Sequence, residues 1–466
     1  MRDIENRKIY SVWLKLYVAA VFCFFVYFAL YQFAPNYLGA LYPVVYKLSA
    51  LALIACFLFF RRLKDGSEFV LIFLYCLWVT LMRLVDGSFT IEGVPDSIVN
   101  LWIILPYLGF AFLLSPEKRM KMLDMMAVIY CAAYTVLGVL CVYAAPNQLV
   151  LINPLTGTEI TEFVSNRLFV FWKSCNTTSA WFLISLWLLV YLFFRCRRRG
   201  LRILIIPAIL INYMSLALTF SRSAQMGFAI GVGMLAAAAA LRYLPLRRIS
   251  QKAAVLAVVL CIFSLAAYKG FSLSVNAVNI FSRHAAEAQT EVISAEENKQ
   301  LEKIEAATEG LNNRGLNSSG RTKLWLASLK TLAEHPSRLI TGKYESIIDT
   351  NSYIAEHSPK EYARYKDRLH HHNAYLETLL YSGVPGFLVI MAFFVLLTVK
   401  MVRIFFCEKA EADMAVKTLT ILLTGLMIYN FFESSLLHIY DLRSVVFFVT
   451  AGYVLAFEKE LCAGRL

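Results

Sequence analysis

GVPGFLVIMAFFVLLTVKMVRI, residues 383–404, carries no charge before Lys400 and is apolar nearly throughout. About 20 apolar residues, rising about 1.5 Å each, cross the ~30 Å hydrocarbon core of a bilayer. The stretch therefore reads as a membrane-spanning helix, interrupted near its start by Gly383, Pro385 and Gly386. Eleven further runs have the same character: 12–33, 38–60, 69–85, 98–114, 123–144, 177–194, 203–220, 224–241, 253–270, 415–432 and 443–457. The third, fourth and last are short. The composition agrees, with 59% hydrophobic, 14% aromatic and only 17% charged residues among 466, well away from a soluble domain. The expected fold is an all-α polytopic membrane protein of about twelve transmembrane helices with one large, mostly helical extracytoplasmic loop.

Orientation follows from where Lys and Arg gather. The tail (Arg2, Arg7, Lys8) is basic, and so are the turns holding Arg61, Arg62 and Lys64, then Lys118, Arg119 and Lys121. Arg195, Arg197, Arg198, Arg199 and Arg202 continue the series, as do Arg242, Arg247, Arg248 and Lys252, then Lys400, Arg403 and Lys409. If every run crosses, all of these share one side, which places both termini in the cytoplasm. Residues 1–270 then form a membrane domain of about nine spans, 271–372 an extracytoplasmic helical lid, and 373–466 the last three spans. The net charge of +13 is a topology signal and argues against a nucleic-acid partner. The first run is too long for a cleaved leader and lacks a small-residue cleavage pattern, so it is expected to remain and span. Eight of the ten cysteines lie in or beside apolar runs or next to basic turns, and Cys175 alone suits the outer face, so no disulfide framework is expected.

Within the lid, residues 285–309 read as a helix with Ile293, Leu301 and Ile304 along one stripe, and 311–320 (LNNRGLNSSG) as turn. A second helix starts near Arg321, with Ser319 as its cap, Trp325, Leu329 and Leu332 on one face, and Pro336 at its end. The AAAAA tract at 236–240 suits close helix contact.

The short turns on the outer side carry few basic residues, Arg83, Arg167, Lys173, Arg222 and Arg443. Arg222 lies in LTFSRSAQMGF, where Ser221 or Ser223 can cap the eighth helix. Arg167 and Lys173 lie in SNRLFVFWKSCNTTSAWF, just before the sixth. His372 and Asn373 stand at the start of the tenth. Helices six, eight and ten are thus expected to present unpaired N–H groups and positive dipole ends to the outside, a setting for phosphate or pyrophosphate. The competing reading of such an Arg is contact with lipid headgroups.

The His370-His371-His372 run has three readings. Metal binding is disfavoured, since adjacent helical residues point ~100° apart and no Asp, Glu or Cys set accompanies them. A solvated polar run is the second. The third is a general base: His372 shares a face with Tyr375, Leu376 and Leu379, and imidazole suits proton abstraction near neutrality.

SRSAQMGFAIGVG, GRTKLWLASLKTLAEHP and HHNAYLETLLYSGVPGFLVI, in that order around a long loop, resemble the O-antigen ligase and O-antigen polymerase superfamily of bacterial membrane glycosyltransferases over roughly residues 160–400. The resemblance implies metal-independent, cofactor-free transfer of a glycan from an undecaprenyl-pyrophosphate carrier to an acceptor hydroxyl in surface polysaccharide assembly. It implies that Arg222 and Arg321 hold the pyrophosphate and that His372 acts on the acceptor. Arg167 is implied as a third pyrophosphate-binding residue, transferred less directly because Val170 and Ser174-Cys175-Asn176 stand where relatives commonly carry Gly and Asn-Pro-Asn. Asn373, Tyr375, Ser221 and Glu433 are candidate supporting residues; Glu433 reads equally as a solvated helix end. Lys47, set in an apolar run, is a candidate carrier-phosphate contact, although it can also snorkel outward. Implied partners are the lipid-linked donor, a glycan, lipid or protein acceptor, the bilayer, and other polysaccharide-assembly membrane proteins. The implied location is the bacterial plasma membrane. A lipid-linked oligosaccharide flippase is the alternative; it predicts basic residues along a path through the membrane and inverted repeats, whereas these candidates gather on one face. Polymerase and ligase are not separable here.

Overall fold

The computed structural model describes residues 2–31, 33, 38–59, 63, 66–85, 101–146, 149–153, 159–164, 167–171, 174–243, 249–290, 321–343, 346–357, 371–407, 413–437 and 442–462. Each of the twelve apolar runs falls on a helix: α1 (Arg2–Tyr31), α2 (Tyr42–Leu58), α3 (Ser67–Val85), α4 (Ile104–Leu113), α5 (Pro116–Ala144), α6 (Cys175–Arg195), α7 (Arg199–Leu218), α8 (Arg222–Tyr243) and α9 (Ile249–Thr290) come first. Three short helices of the loop follow, α10 (Arg321–Glu334), α11 (Arg338–Thr341) and α12 (Ser346–His357), then α13 (Ala374–Phe406), α14 (Asp413–Asn430) and α15 (Leu442–Cys462).

Nine of these helices, among the described residues, are long and apolar enough to cross a membrane. The twelve-span expectation goes beyond them at α4, whose 10 residues rise only about 15 Å, at the shorter apolar stretch Met414–Asn430, and at α15, which ends among Glu458, Lys459 and Glu460. Several expectations lie outside the described residues: the helix beyond Thr290, the 311–320 turn with Ser319, His370, Lys173, and the basic residues Arg61, Arg62, Lys64, Arg247, Arg248 and Lys409.

α8 packs between α9 and α14, α14 against α6, α15 against α4, and α13 against α3. Ala237 and Ala238 of the alanine tract are fully buried against Phe405 of α13, and Leu256 and Val259 of α9 pack on the same cluster. In lipid the hydrophobic effect does not drive helices together, so close fit of small side chains carries this contact.

One small sheet departs from the helical architecture. β1 (Leu151–Ile152), β2 (Glu159–Val164) and β3 (Arg167–Val170) pair antiparallel, with Thr161 opposite Val170 and Val164 opposite Arg167. Buried Thr161 ties the edge down, its Oγ1 donating to the Leu149 carbonyl at 3.0 Å and accepting from Leu151 N at 3.1 Å.

α13 is broken near its start. The Pro385 ring cannot share space with the carbonyl four residues earlier, that of Tyr381, and Gly383 takes φ +66°, ψ −178° to turn the chain. The carbonyls freed there find partners: Lys343 N donates to Leu380 O at 2.8 Å and Trp78 Nε1 to Ser382 O at 2.8 Å.

The two ends of the bundle differ in chemistry. One gathers Lys400 with Glu68 at 2.7 Å and Glu458 at 3.5 Å, Arg403 with Glu458 at 3.3 Å, and Arg119 with Glu460 at 2.9 Å. The other carries the first residues of α6, α8, α10 and α13, the last of α14, and the sheet.

Candidate functional site

α14 ends where the Asn430 side chain folds back on the chain, its Oδ1 accepting from Ser435 N at 3.1 Å and Ser435 Oγ at 2.7 Å. The tight turn after it leaves Glu433 pointing inward, only 7% exposed. Glu433 Oε1 accepts from Arg321 Nη2 and from Asn176 Nδ2, both at 2.6 Å, and its Oε2 lies 3.3 Å from His372 Nδ1. A single carboxylate thus joins the lid helix α10, the start of α6 and the start of α13.

Burial alone would raise this carboxyl. The hydrogen bond and charge of His372, with the guanidiniums of Arg321 and Arg443, outweigh it and hold Glu433 below its ordinary value of 4.5. Arg443, itself buried, donates to Tyr429 OH at 3.1 Å, and that hydroxyl donates to the Asn176 backbone oxygen at 2.9 Å. Two guanidiniums against one carboxylate leave the cluster net positive, which favours an anionic ligand.

His372 sits at φ +53°, a left-handed conformation uncommon for a residue with a Cβ. Neighbours impose it. Trp325 Nε1 of α10 holds the His371 carbonyl at 2.9 Å, and buried His371 sets its Nε2 3.3 Å from Thr350 Oγ1. On the other side, Asn373 N donates to Ser434 Oγ at 3.2 Å and Ala374 N to Glu433 O at 3.0 Å. The histidines therefore separate by environment: His371 faces the lid core, His372 the carboxylate.

These bonds correct one expectation. The N-terminus of α13 does not offer unpaired N–H groups, because Asn373 Oδ1 accepts from Tyr375 N and Leu376 N, both at 3.0 Å, while Glu433 and Ser434 take the two before them. In α6, Ser174 Oγ takes Thr177 N at 3.2 Å. At this end, positive charge resides on side chains more than on open helix ends.

Arg167, first residue of β3, donates through Nε to Thr219 O at 3.2 Å and through Nη2 to Phe220 O at 3.5 Å, clamping the turn that leads into Ser221 and Arg222. Phe220 there is also left-handed, at φ +51°. Ser221 is fully buried, its carbonyl accepting Gln225 N at 3.0 Å and its hydroxyl paired with that of Ser223 at 3.1 Å. Arg222 beside it is exposed. Cys175 lies within electrostatic reach of Arg167 on one side and of Glu433 and Arg321 on the other.

The structure thus brings together Arg321, His372, Asn373 and Glu433, and sets Arg167, Ser221 and Arg222 on a neighbouring turn. Tyr375 is a packing residue, its hydroxyl bonded to Met427 O at 3.0 Å and its ring edge-on to Phe394. Lys47 is exposed on α2, and none of the described bonds of the cluster reaches it. Sequence reasoning did not single out Asn176, Tyr429, Arg443, Trp325 or His371 for the roles they have here. Among the described residues no group of three or more His, Cys, Asp or Glu side chains is placed to hold a metal ion.

Residues 207–391 match the family model described as O-antigen ligase, a segment that carries Arg222, Arg321 and His372. This match supports the O-antigen ligase and polymerase superfamily. No curated protein matches the chain significantly. The domain match, with the apolar helices around the cluster, supports a membrane role of ligase or polymerase type in surface polysaccharide assembly. Arg167, Asn176, Glu433 and Arg443 lie outside the matched segment, so the cluster joins the family domain to helices on both sides of it.

Proposed function

We propose that the chain moves a glycan from an undecaprenyl-pyrophosphate carrier to an acceptor hydroxyl at the outer face of the bacterial plasma membrane, as the polymerase or the ligase of a surface polysaccharide. The observation that carries this reading is buried Glu433, which bridges half-buried Arg321 and His372 in one cluster. The carboxylate fixes His372 through Nδ1, which donates to it in the neutral tautomer, and leaves Nε2 to face an acceptor. As the acceptor oxygen bonds to the anomeric carbon, the bond from that carbon to the pyrophosphate oxygen breaks, and the acceptor proton passes to His372 Nε2. Arg321 and Arg222 meet the charge that grows on the departing pyrophosphate, with paired N–H groups that no ordinary pH change removes. Arg167 acts beneath them, holding the turn that presents Arg222. The basic residues at the opposite end of the bundle support cytoplasmic termini and an outward-facing site.

The test is the surface polysaccharide of a deletion strain complemented with wild type, His372→Ala, Arg222→Ala or Arg321→Ala, with protein levels checked in membranes. The transferase reading expects loss of long or attached glycan, lipid-linked units accumulating outside the membrane, and no rescue by the well-expressed variants. Accumulation on the cytoplasmic side would identify a flippase and overturn it.

A further inference from the structure

α11 and the residues around it read Arg338-Leu339-Ile340-Thr341-Gly342-Lys343, an apolar pair between two cations. This turn lies against the break in α13. Gly342, at φ +69°, and Gly383, at φ +66°, stand where no Cβ fits: one added to Gly383 would strike the Ile340 carbonyl, and one added to Gly342 would strike that of Tyr381. Lys343 N supplies the hydrogen bond that Leu380 O lacks at the break.

The depth of that contact follows from α13 itself. Lys400 belongs to the ion cluster at the opposite end, and about 20 residues counted back from it, enough to cross the hydrocarbon, reach Leu380 and Tyr381. Gly383 therefore lies at the inner edge of the headgroup layer, and Leu339 and Ile340 beside it lie at the same height. Their side chains are 39% and 60% exposed, continuous with Val384 at 37% and Leu388 at 60% on the span. Broken backbone at membrane depth is tolerated only where protein covers its polar groups, and this turn supplies that cover at Leu380. Arg338 and Lys343 share one carboxylate, Asp349, at 2.7 and 2.8 Å, which leaves a net positive charge at headgroup level.

We infer that residues 338–343 form a membrane-embedded element of the loop: Leu339 and Ile340 lie in lipid acyl chains, and Arg338 and Lys343 sit among lipid phosphates. The loop is then anchored to the bilayer as well as to the bundle. This inference rests on the membrane reading of α13 and does not depend on the transferase chemistry.

The experiment places a nitroxide at Ile340→Cys in the full chain, in nanodiscs of phosphatidylcholine and phosphatidylglycerol. The background has its accessible cysteines replaced by alanine, verified by the absence of label on the parent. Leu388→Cys is the lipid standard and exposed Lys330→Cys the water standard; Leu339→Cys repeats the test if Ile340→Cys does not fold. Oxygen should relax the 340 label several-fold more, relative to a nickel chelate, than it relaxes the 330 label, matching 388. A ratio like that at 330 would put the turn in water. Exclusion of both relaxers would mean that protein covers it. Either result overturns the inference.

Discussion

Glu433 has one side chain and three tasks. It neutralises Arg321, orients His372 and receives Asn176, all within 3.3 Å. Glu433→Gln keeps the shape and removes the charge, leaving the Arg321 guanidinium without this counterion; the expected loss is about 3–5 kcal/mol, as when one partner of a buried pair is removed. Thermal unfolding in detergent measures it. The folded carboxyl lies below its ordinary 4.5, so this stabilisation is fully present above that value and is lost as pH falls through the folded one. The gap between wild type and variant should be present at about pH 5 and close as pH falls below that. Any change of activity above about pH 5 then belongs to another group. His372→Asn is the sharper probe of chemistry, because Asn tolerates the left-handed backbone at φ +53° while lacking a base. Transfer by the purified protein should fall about 100- to 10,000-fold with the fold retained. His372 was singled out from the sequence; what was not legible is how tertiary contacts separate it from its neighbour, setting His371 beside Thr350 and His372 beside Glu433. Glu433 was legible as a charge at a helix end; its burial was not.

Among the elements, the broken helix α13 is the most exposed to a single change. Gly383→Ala would place a methyl against the Ile340 carbonyl on a backbone that L-residues resist, and Gly342→Ala would do the same against Tyr381. Each should lower stability by about 1–3 kcal/mol or more, read as a drop in Tm, whereas Gly39→Ala, where a Cβ meets open space, should not. The break itself was legible, since a Gly-Val-Pro-Gly stretch inside an apolar run has few other meanings. That each of the twelve apolar runs lies on a helix was likewise legible, because apolar backbone in lipid must satisfy itself; that nine among the described residues are long enough to cross was not. The sheet was not. Thr161, Phe163, Leu168 and Val170 gain their strand character from pairing across the loop, and that short-range pattern is weak beside the apolar runs that flank it. The expectation of open helix N-termini failed at α13 because Asn373 Oδ1 takes Tyr375 N and Leu376 N, while Asn373 N bonds Ser434 Oγ, 61 residues away, and Ala374 N bonds the Glu433 carbonyl.

Over the whole molecule, charge is divided by role. The end holding Lys400, Glu68, Glu458 and Arg403 ties α3, α13 and α15 together, and none of its described ion pairs reaches Glu433. Lys400→Met should leave buried Glu68 short of a cation, while Glu458 keeps Arg403, and cost about 3–5 kcal/mol of stability in detergent, while transfer per folded molecule stays unchanged. Parallel loss of both would tie the two ends together. The cluster at the other end has a different property: Asn176 and Glu433 are 257 positions apart, and Arg321 and Glu433 are 112. A ribosome feeding this chain into a membrane delivers Asn176, Arg321 and His372 long before Glu433. Until α14 is in place, Asn176, Arg321 and His372 lack the one carboxylate that all three approach, so the cluster is completed only late in synthesis.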